Sequence, residues 1–240
     1  DADGNVSKLS KRHGATGFYD LIDEGYLPEA IINYIALLGW CPKDNQEIFT
    51  LKELEKAFDI SGISKSPAVF DYDKLSWFNG EYIKAMTPEK FTEVAMPYYK
   101  KVFGDKQMPY EKFAAILQKR TTQLTQIPEM LDFFAELPSY TKELFVNKKS
   151  KTNLENSPVV LKEAYDRLKA MPEWNETSIH DCLINMAVEK ELKNGTVMWP
   201  VRIAAAGKTV TPGGAVEILD ILGRDESLAR LEKGMAILAE

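Results

Sequence analysis

Histidine is nearly missing from this sequence: His13 and His180 are the only two in 240 residues. Cysteine is equally scarce, and Cys41 and Cys182 lie too far apart in sequence to form a metal-binding cluster by spacing. A chain of this length buries enough core without a disulfide, so reduced thiols and a cytoplasmic home are expected. No apolar run reaches the roughly 18 residues of a membrane span, and no basic-then-apolar leader marks secretion. Positive charge is not in excess either. Thirty basic residues face 36 acidic ones, a net charge of −6, which excludes a protein that binds polyanions indiscriminately. What remains is an ordinary globular composition, 45% hydrophobic and 28% charged, long enough for one large domain or two small ones.

The charge is unevenly spread. Between Ser7 and Gly14 the charged side chains are Lys8, Lys11 and Arg12, with His13 beside them. Between Lys142 and Lys151, four lysines (Lys142, Lys148, Lys149, Lys151) stand against Glu143 alone. Locally basic faces on an acidic body steer an anion to chosen places and repel it elsewhere. The alternative reading of such short runs is a solvated loop. The opening Asp1-Ala2-Asp3-Gly4-Asn5 has the polar, turn-forming character either of a frayed terminus or of a loop interior, as in a piece of a longer protein.

Helical periodicity dominates the pattern. Ile31, Tyr34, Ile35 and Leu38 share one face, as do Leu161, Ala164, Tyr165 and Leu168. The sets Ile179, Cys182, Leu183, Met186 and Leu228, Leu231, Met235, Leu238 repeat the spacing. Thr50 followed by Glu53 is a capping box, in which hydroxyl and carboxylate each satisfy a free backbone N–H. Ser66-Pro67, Thr87-Pro88, Ser157-Pro158 and Thr211-Pro212 place a hydroxyl before a proline suited to the first helical position. Strand signals are few. The best, Thr196 to Ile203, contains Pro200 and runs into Ala204-Ala205-Ala206, which favours helix. The fold class is therefore all-α, with about ten or more helices. A turn at Met86-Thr87-Pro88 and a polar, basic break between Asn147 and Pro158 divide the chain into 1–86, 87–152 and 153–240.

Lys8-Leu9-Ser10-Lys11-Arg12, followed by His13-Gly14, is rich in donors to phosphate. Lysine offers a point charge, and the serine hydroxyl and nearby N–H groups add directional bonds. Such a loop suits ATP activation, where charge grows on departing pyrophosphate. A five-residue basic match says little by itself, but it heads an ordered series. Glu24-Gly25-Tyr26-Leu27-Pro28-Glu29-Ala30 runs on to Asn33-Tyr34 and Leu37-Leu38-Gly39-Trp40. Then come Ser64 to Asp71, Trp77-Phe78-Asn79-Gly80-Glu81-Tyr82-Ile83, Trp199-Pro200-Val201-Arg202-Ile203-Ala204, and Thr211-Pro212-Gly213-Gly214 through Ile221-Leu222-Gly223. With this series the chain resembles the bacterial glutamyl-tRNA synthetases, class I aminoacyl-tRNA synthetases. Residues 90 to 195 agree mainly in helical pattern and length.

The resemblance implies roles. Lys8 and Lys11 become catalytic, and Lys8, Ser10, Lys11 and Arg12 become the ATP-contacting loop, with Leu9 and Arg12 where other members carry Met and Ser. The family's other signature, a His-x-Gly-His-like motif in the nucleotide-binding fold, is not found beside only two histidines. A C-terminal half is expected: stem-contact helices over 1–86, then an α-helical anticodon-binding region. The parent enzyme would use ATP with magnesium to attach glutamate to its tRNA through glutamyl-adenylate. The piece alone would hold no cofactor and would be inactive without the N-terminal catalytic domain. Partners implied are glutamate tRNA and, in relaxed members, glutamine tRNA, with no membrane and a monomeric state. Glutaminyl-tRNA synthetases, which read the anticodon with β-barrels, do not fit the lack of strands. The enzyme that glutamylates queuosine in tRNA lacks such a C-terminal region.

The residues proposed to meet tRNA are Lys65, Arg120, Lys148, Lys149 and Arg202. Arg120 is the preferred base reader, because a guanidinium fork distinguishes acceptors on splayed bases. The competing reading is an arginine at a helix end interacting with the dipole. Trp40, Trp77, Trp174 and Trp199 are stacking candidates against a default of core packing. Gly213-Gly214 opens a helix, offering free N–H groups to a phosphate or simply turning the chain. His180-Asp181-Cys182 reads better as a helix with an inward thiol than as a catalytic or metal site. A helical protein-interaction scaffold of synthetase ancestry is the rival function; it would have no use for the retained lysines and Arg12.

Overall fold

The computed structural model describes every residue from Gly17 to Ala239 except Pro67. Lys8, Ser10, Lys11 and Arg12 lie outside the described residues. Among those described, twelve α-helices form and no strand, in keeping with the all-α reading; the only β pairing is isolated bridges, Trp40 with Ile63 and Asn147 with Thr152. No described helix is long and apolar enough to cross a membrane. The chain divides into two compact units. The described part of one runs to Tyr98 and adds Gln118–Ile127; the other comprises Tyr99–Leu117 and Pro128 onward.

The first unit holds α1 (Phe18–Asp23), α2 (Pro28–Gly39), α3 (Leu51–Ala57), α4 (Tyr72–Ala85) and most of α5 (Pro88–Phe103). Leu21, Tyr26, Ile31, Tyr34, Leu75 and Phe78 form its main core, and Trp40, Phe49 and Leu54 a second cluster. Two buried asparagines tie the chain across these helices. Asn79 accepts from the Leu27 N–H (2.8 Å) and donates to the Thr122 carbonyl (2.6 Å). Asn33 accepts from the Phe49 N–H (2.8 Å) and donates to the Glu47 carbonyl (3.0 Å). The inward face of α2 is therefore Ala30, Ile31, Asn33 and Tyr34, and Ile35, expected inside, is exposed. The buried face is turned toward the Asn33 side of the helix, where the amide satisfies loop backbone groups. Gly25 has φ of +92°, and a Cβ there would lie 2.6 Å from the Thr125 backbone nitrogen. Only glycine meets both demands.

The second unit holds α6 (Tyr110–Leu117), α7 (Ile127–Ala135), α8 (Asn156–Ala170), α9 (Glu176–Glu189), α10 (Asn194–Ala206), α11 (Ala215–Leu222) and α12 (Arg224–Ala239). Helix α10 packs against α8, α9, α11 and α12. It buries Thr196, Val197, Pro200, Val201 and the whole run Ile203–Ala206. Small residues allow its approach to α12: a Cβ on Gly234 would stand 2.6 Å from the Ala204 Cβ. The helix stops at Gly207, left-handed at φ 64°, whose N–H caps the Ile203 carbonyl at 2.8 Å. On α12 the deepest positions are Ser227, Arg230, Leu231 and Gly234, while Leu228, Met235 and Leu238 are only half-buried. Arg230 is 4% exposed and its Nη1 donates to the Phe133 (2.7 Å) and Ala205 (2.9 Å) carbonyls. Both belong to last turns, whose carbonyls have no partner within their own helix. One guanidinium thus closes the ends of α7 and α10, with Glu226 on its Nε at 2.6 Å.

The capping expectations divide. Thr50 and Glu53 form the reciprocal box before α3, and Thr87 accepts from the Lys90 N–H before α5. Ser157 does not cap: α8 begins one residue earlier, Asn153 accepts from the Glu155 and Asn156 N–H groups, and the Ser157 hydroxyl turns inward to the Phe145 carbonyl. Thr211 precedes no helix directly, since α11 starts at Ala215 with Gly214 as its cap. Ser66 caps none either; α4 begins at Tyr72 under Asp71, which accepts from Asp73 and Lys74. An Asx carboxylate or amide reaches two free N–H groups where a hydroxyl commonly serves one.

Both thiols are free, Cys41 exposed and Cys182 half-buried on α9 rather than fully enclosed. Burial pushes the Cys182 thiol above the usual range, which lowers its thiolate fraction. Two outcomes follow from this packing. Near pH 8, a thiol-specific reagent should modify one cysteine quickly and the second, Cys182, only slowly until denaturant is added. Arg230→Met should destabilise the second unit by about 2–5 kcal/mol in urea titration, because two buried carbonyls lose their donors, whereas Glu226→Gln should cost under about 1 kcal/mol.

Candidate nucleic-acid interface

Residues 147–152 form a tight hairpin. Asn147 and Thr152 exchange N–H···O bonds at 3.0 Å, and the Asn147 side chain accepts from the Ser150 N–H at 2.9 Å. Lys151 takes a positive φ of 55°, which reverses the chain. The tip presents Lys148 and Lys149 to solvent. Several other lysines on this unit are neutralised: Lys112 by Asp220, Lys162 by Asp166, Lys208 by Asp132. Lys148 and Lys149 meet no carboxylate within ion-pair distance among the described residues. Their charge is available to an external anion.

Helix α10 carries three functional side chains at i, i+3 and i+6, so that they lie along one face. The Thr196 hydroxyl donates to the Ser150 carbonyl (2.6 Å), and the Trp199 indole N–H to the Leu144 carbonyl (2.9 Å). Arg202 stacks 4.7 Å from the Trp199 ring and donates to the Thr211 hydroxyl (2.9 Å) and the Thr209 carbonyl (3.0 Å). Trp199 and Arg202 border a cavity of about 530 Å³, lined also by Ser150, His180, Met198, Gly214 and Glu217. The free N-terminus of α11 opens into it. No side chain caps this helix start, which leaves its first-turn N–H groups without a capping partner, and Gly214, Ala215 and Val216 line the space. Gly213 and Gly214 have no positive φ; what they supply is room. A Cβ would sit 3.3 Å from Ile116 at the first and 2.9 Å from the Glu217 carboxylate at the second.

The cavity combines a flat wall (the Trp199–Arg202 stack), edge-reading groups (Arg202, His180, Glu217, backbone N–H) and a lysine-bearing lip at Ser150. A flat heteroaromatic ring can stack on tryptophan or on a guanidinium plane while donors and acceptors meet its edge. A chain phosphate attached to such a ring would find positive charge at the hairpin. His180 is exposed and lies 3.1 Å from the Asp181 carboxylate. No cluster of metal-ligating side chains occurs among the described residues.

Of the proposed contacts, Arg202 lies on α10, and Lys148 and Lys149 lie on the hairpin that α10 holds through Thr196 and Ser150. Lys65 and Arg120 belong to the other unit, on separate segments. Lys65 is exposed in the stretch before α4. Arg120 is exposed between two anchored residues: Gln118, whose amide donates to the Ile83 (3.0 Å) and Met86 (2.7 Å) carbonyls, and the fully buried Thr121. Its backbone is fixed and its guanidinium projects outward from the end of α6. Trp40 is core, with its N–H on the Asp59 carbonyl. Trp77 lies half-open beneath Lys74, and Trp174 donates to the Leu219 carbonyl. His180 and Glu217 were not singled out as ligand-reading groups in the sequence. His180 lies i+3 from Thr177 on the first turns of α9, a spacing that marks a shared face but not what that face borders.

Comparison with known proteins gives this geometry a context. The family described as "Anticodon binding domain" matches residues 90–235. The family described as "tRNA synthetases class I (E and Q), catalytic domain" matches residues 3–77. Among curated relatives, the glutamate–tRNA ligase of Clostridium kluyveri is 51% identical over 228 residues, 95% of this chain and 47% of that protein. The corresponding ligase of Clostridium tetani is 49% identical over 229 residues, again 47% of its length. A solved structure of a glutamate tRNA ligase from Elizabethkingia meningosepticum, in complex with its amino acid, superposes with a TM-score of 0.80 at 28% identity, covering 98% of this chain and 49% of that one. The chain therefore spans about half the length of the curated relatives it matches.

Proposed function

The chain belongs to the anticodon-binding-domain family, preceded by the tail of a class I catalytic domain as in the C-terminal part of a glutamate–tRNA ligase, and from that premise we propose that the lysine hairpin and the α10 cavity hold the anticodon arm of glutamate tRNA. Lys148 and Lys149 meet backbone phosphates. An unpaired anticodon base enters the cavity, stacks on the Trp199–Arg202 wall and is read at its edge. Arg120 contacts a further base from the end of α6, and Lys65 the tRNA body. The observation that carries the proposal is the convergence of unpaired lysines and an edge-reading cavity on one helix, inside the stretch matched by the anticodon-binding family.

In the parent enzyme this grip serves the transfer of L-glutamate to its tRNA through glutamyl-adenylate, with ATP and magnesium, in the cytoplasm and as a monomer. Lys8 and Lys11 stabilise charge on ATP, with Ser10 and Arg12 completing the loop. Glutamine tRNA is the second substrate to examine.

Binding measured across a salt series tests the reading. Replacing Lys148 and Lys149 with alanine should weaken all tRNAs alike and flatten the dependence of log K on log salt by about 0.7–0.9 per lost phosphate contact. Arg202→Ala and Arg120→Ala should instead alter preference among anticodon variants, by roughly 1–3 kcal/mol for a bidentate base contact. Unchanged slopes together with equal binding of all anticodons would contradict the proposal and favour a protein-binding scaffold. Catalysis provides a separate check. The isolated chain should give no glutamate-dependent pyrophosphate exchange, and Lys11→Ala in a full-length ligase should slow adenylate formation by roughly 10² or more.

A further inference from the structure

A short hairpin closed by a single pair of backbone bonds is weak by itself, and two lysines on a mobile tip lose entropy when they settle on a phosphate. The hairpin at 147–152 is tied to the body of its unit at few points. On its outer side the exposed Asn156 amide donates to the Lys151 carbonyl at 2.9 Å. On its inner side the Thr196 hydroxyl donates to the Ser150 carbonyl at 2.6 Å, and Thr196 is only 3% exposed. Thr152, at the base of the same hairpin and 4% exposed, has a buried hydroxyl with no partner. The two threonines are chemically alike and similarly buried, yet of their two hydroxyls only that of Thr196 bonds the loop.

Thr196 also stands one turn before Trp199 and two before Arg202 on the same face of α10. Ser150, which it holds, is itself part of the cavity lining. The groups that would read a base and the groups that would meet a phosphate are thus fixed to one helix, and Thr196 is the link to the second set. Resting on the proposed function of this face, we propose that Thr196 is a positioning residue for tRNA binding: its hydroxyl holds Ser150, and with it Lys148 and Lys149, at the lip of the cavity, so that phosphate and base are engaged by one preorganised frame. The residue touches no RNA; it acts through the lysines.

The test is a double-mutant cycle in tRNA binding by the whole chain, near 0.1 M salt and across a salt series. Thr196→Val, which keeps shape and removes the hydroxyl, should weaken glutamate tRNA about three- to tenfold and lower the salt slope; Thr196→Ser should restore both, and Thr152→Val should change neither. In the Lys148→Ala/Lys149→Ala background, Thr196→Val should have no further effect, since the residue has nothing left to position. Thr196→Ala replaces the valine variant if the latter does not fold. An equal loss with and without the lysines would make Thr196 a general structural residue and overturn the proposal, as would full binding by Thr196→Val where the lysine pair matters. If removal of the lysines itself leaves binding unchanged, the proposed function of the hairpin fails first, and the positioning role with it.

Discussion

The close seat of α12 on the C-terminal half of α10 is the constraint on which the proposed interface depends. Gly234 and Ala204 let the helices meet at backbone distance, and Arg230 locks them by donating to the Ala205 and Phe133 carbonyls. A buried guanidinium is costly to desolvate; here carbonyls of two helix ends and the Glu226 carboxylate compensate it. With Val197, Pro200, Val201 and Ile203–Ala206 committed to the core, α10 has one face left. That face carries Trp199 and Arg202, with Thr196 buried at its start against the hairpin, and its orientation is set by everything packed behind it. Pro200 is tolerated because surrounding helices hold the segment, although proline removes one hydrogen bond from the ladder.

The electrostatics follow a consistent logic. An overall charge of −6 keeps indiscriminate attraction to polyanions low, so binding depends on where positive charge stands unpaired. On the second unit several surface lysines are spent on aspartates, and the hairpin tip is not. Glu217 at the cavity edge adds an acceptor and a local repulsion, so the cavity favours a neutral ring with donors over a bare phosphate. On the proposed function, phosphate would sit at the lip and the base inside.

Much of this was readable from the residues. The all-α class followed from 3.6-residue periodicity, and the Thr50–Glu53 box from its spacing. Lys148 and Lys149 stood out because a basic run interrupts an acidic chain, and Arg202 through the motif resemblance around Trp199. The rest depends on contacts remote in sequence. Nothing local announces that Arg230 turns inward, since its partners are carbonyls at 133 and 205. The buried face of α2 turns toward Asn33, whose amide holds the Glu47–Phe49 loop, and so leaves Ile35 outside; no periodicity counts loops. The hydroxyl–proline pairs at Ser66, Ser157 and Thr211 resemble helix starts, but Asp71 and Gly214 hold the capping positions of α4 and α11, and before α8 Asn153 takes the free N–H groups of Glu155 and Asn156. The cavity itself is assembled from α9, α10, α11 and the hairpin, which no single segment reveals.

We propose that tRNA is held at the hairpin, along the exposed face of α10 and at the start of α11. Backbone hydrogen exchange with and without saturating glutamate tRNA reads this directly. Slowed exchange concentrated at 147–152 and 213–217, and reduced on tRNA carrying a swapped anticodon, is the predicted result. Protection absent from both segments, with tRNA fully bound, would contradict the claim.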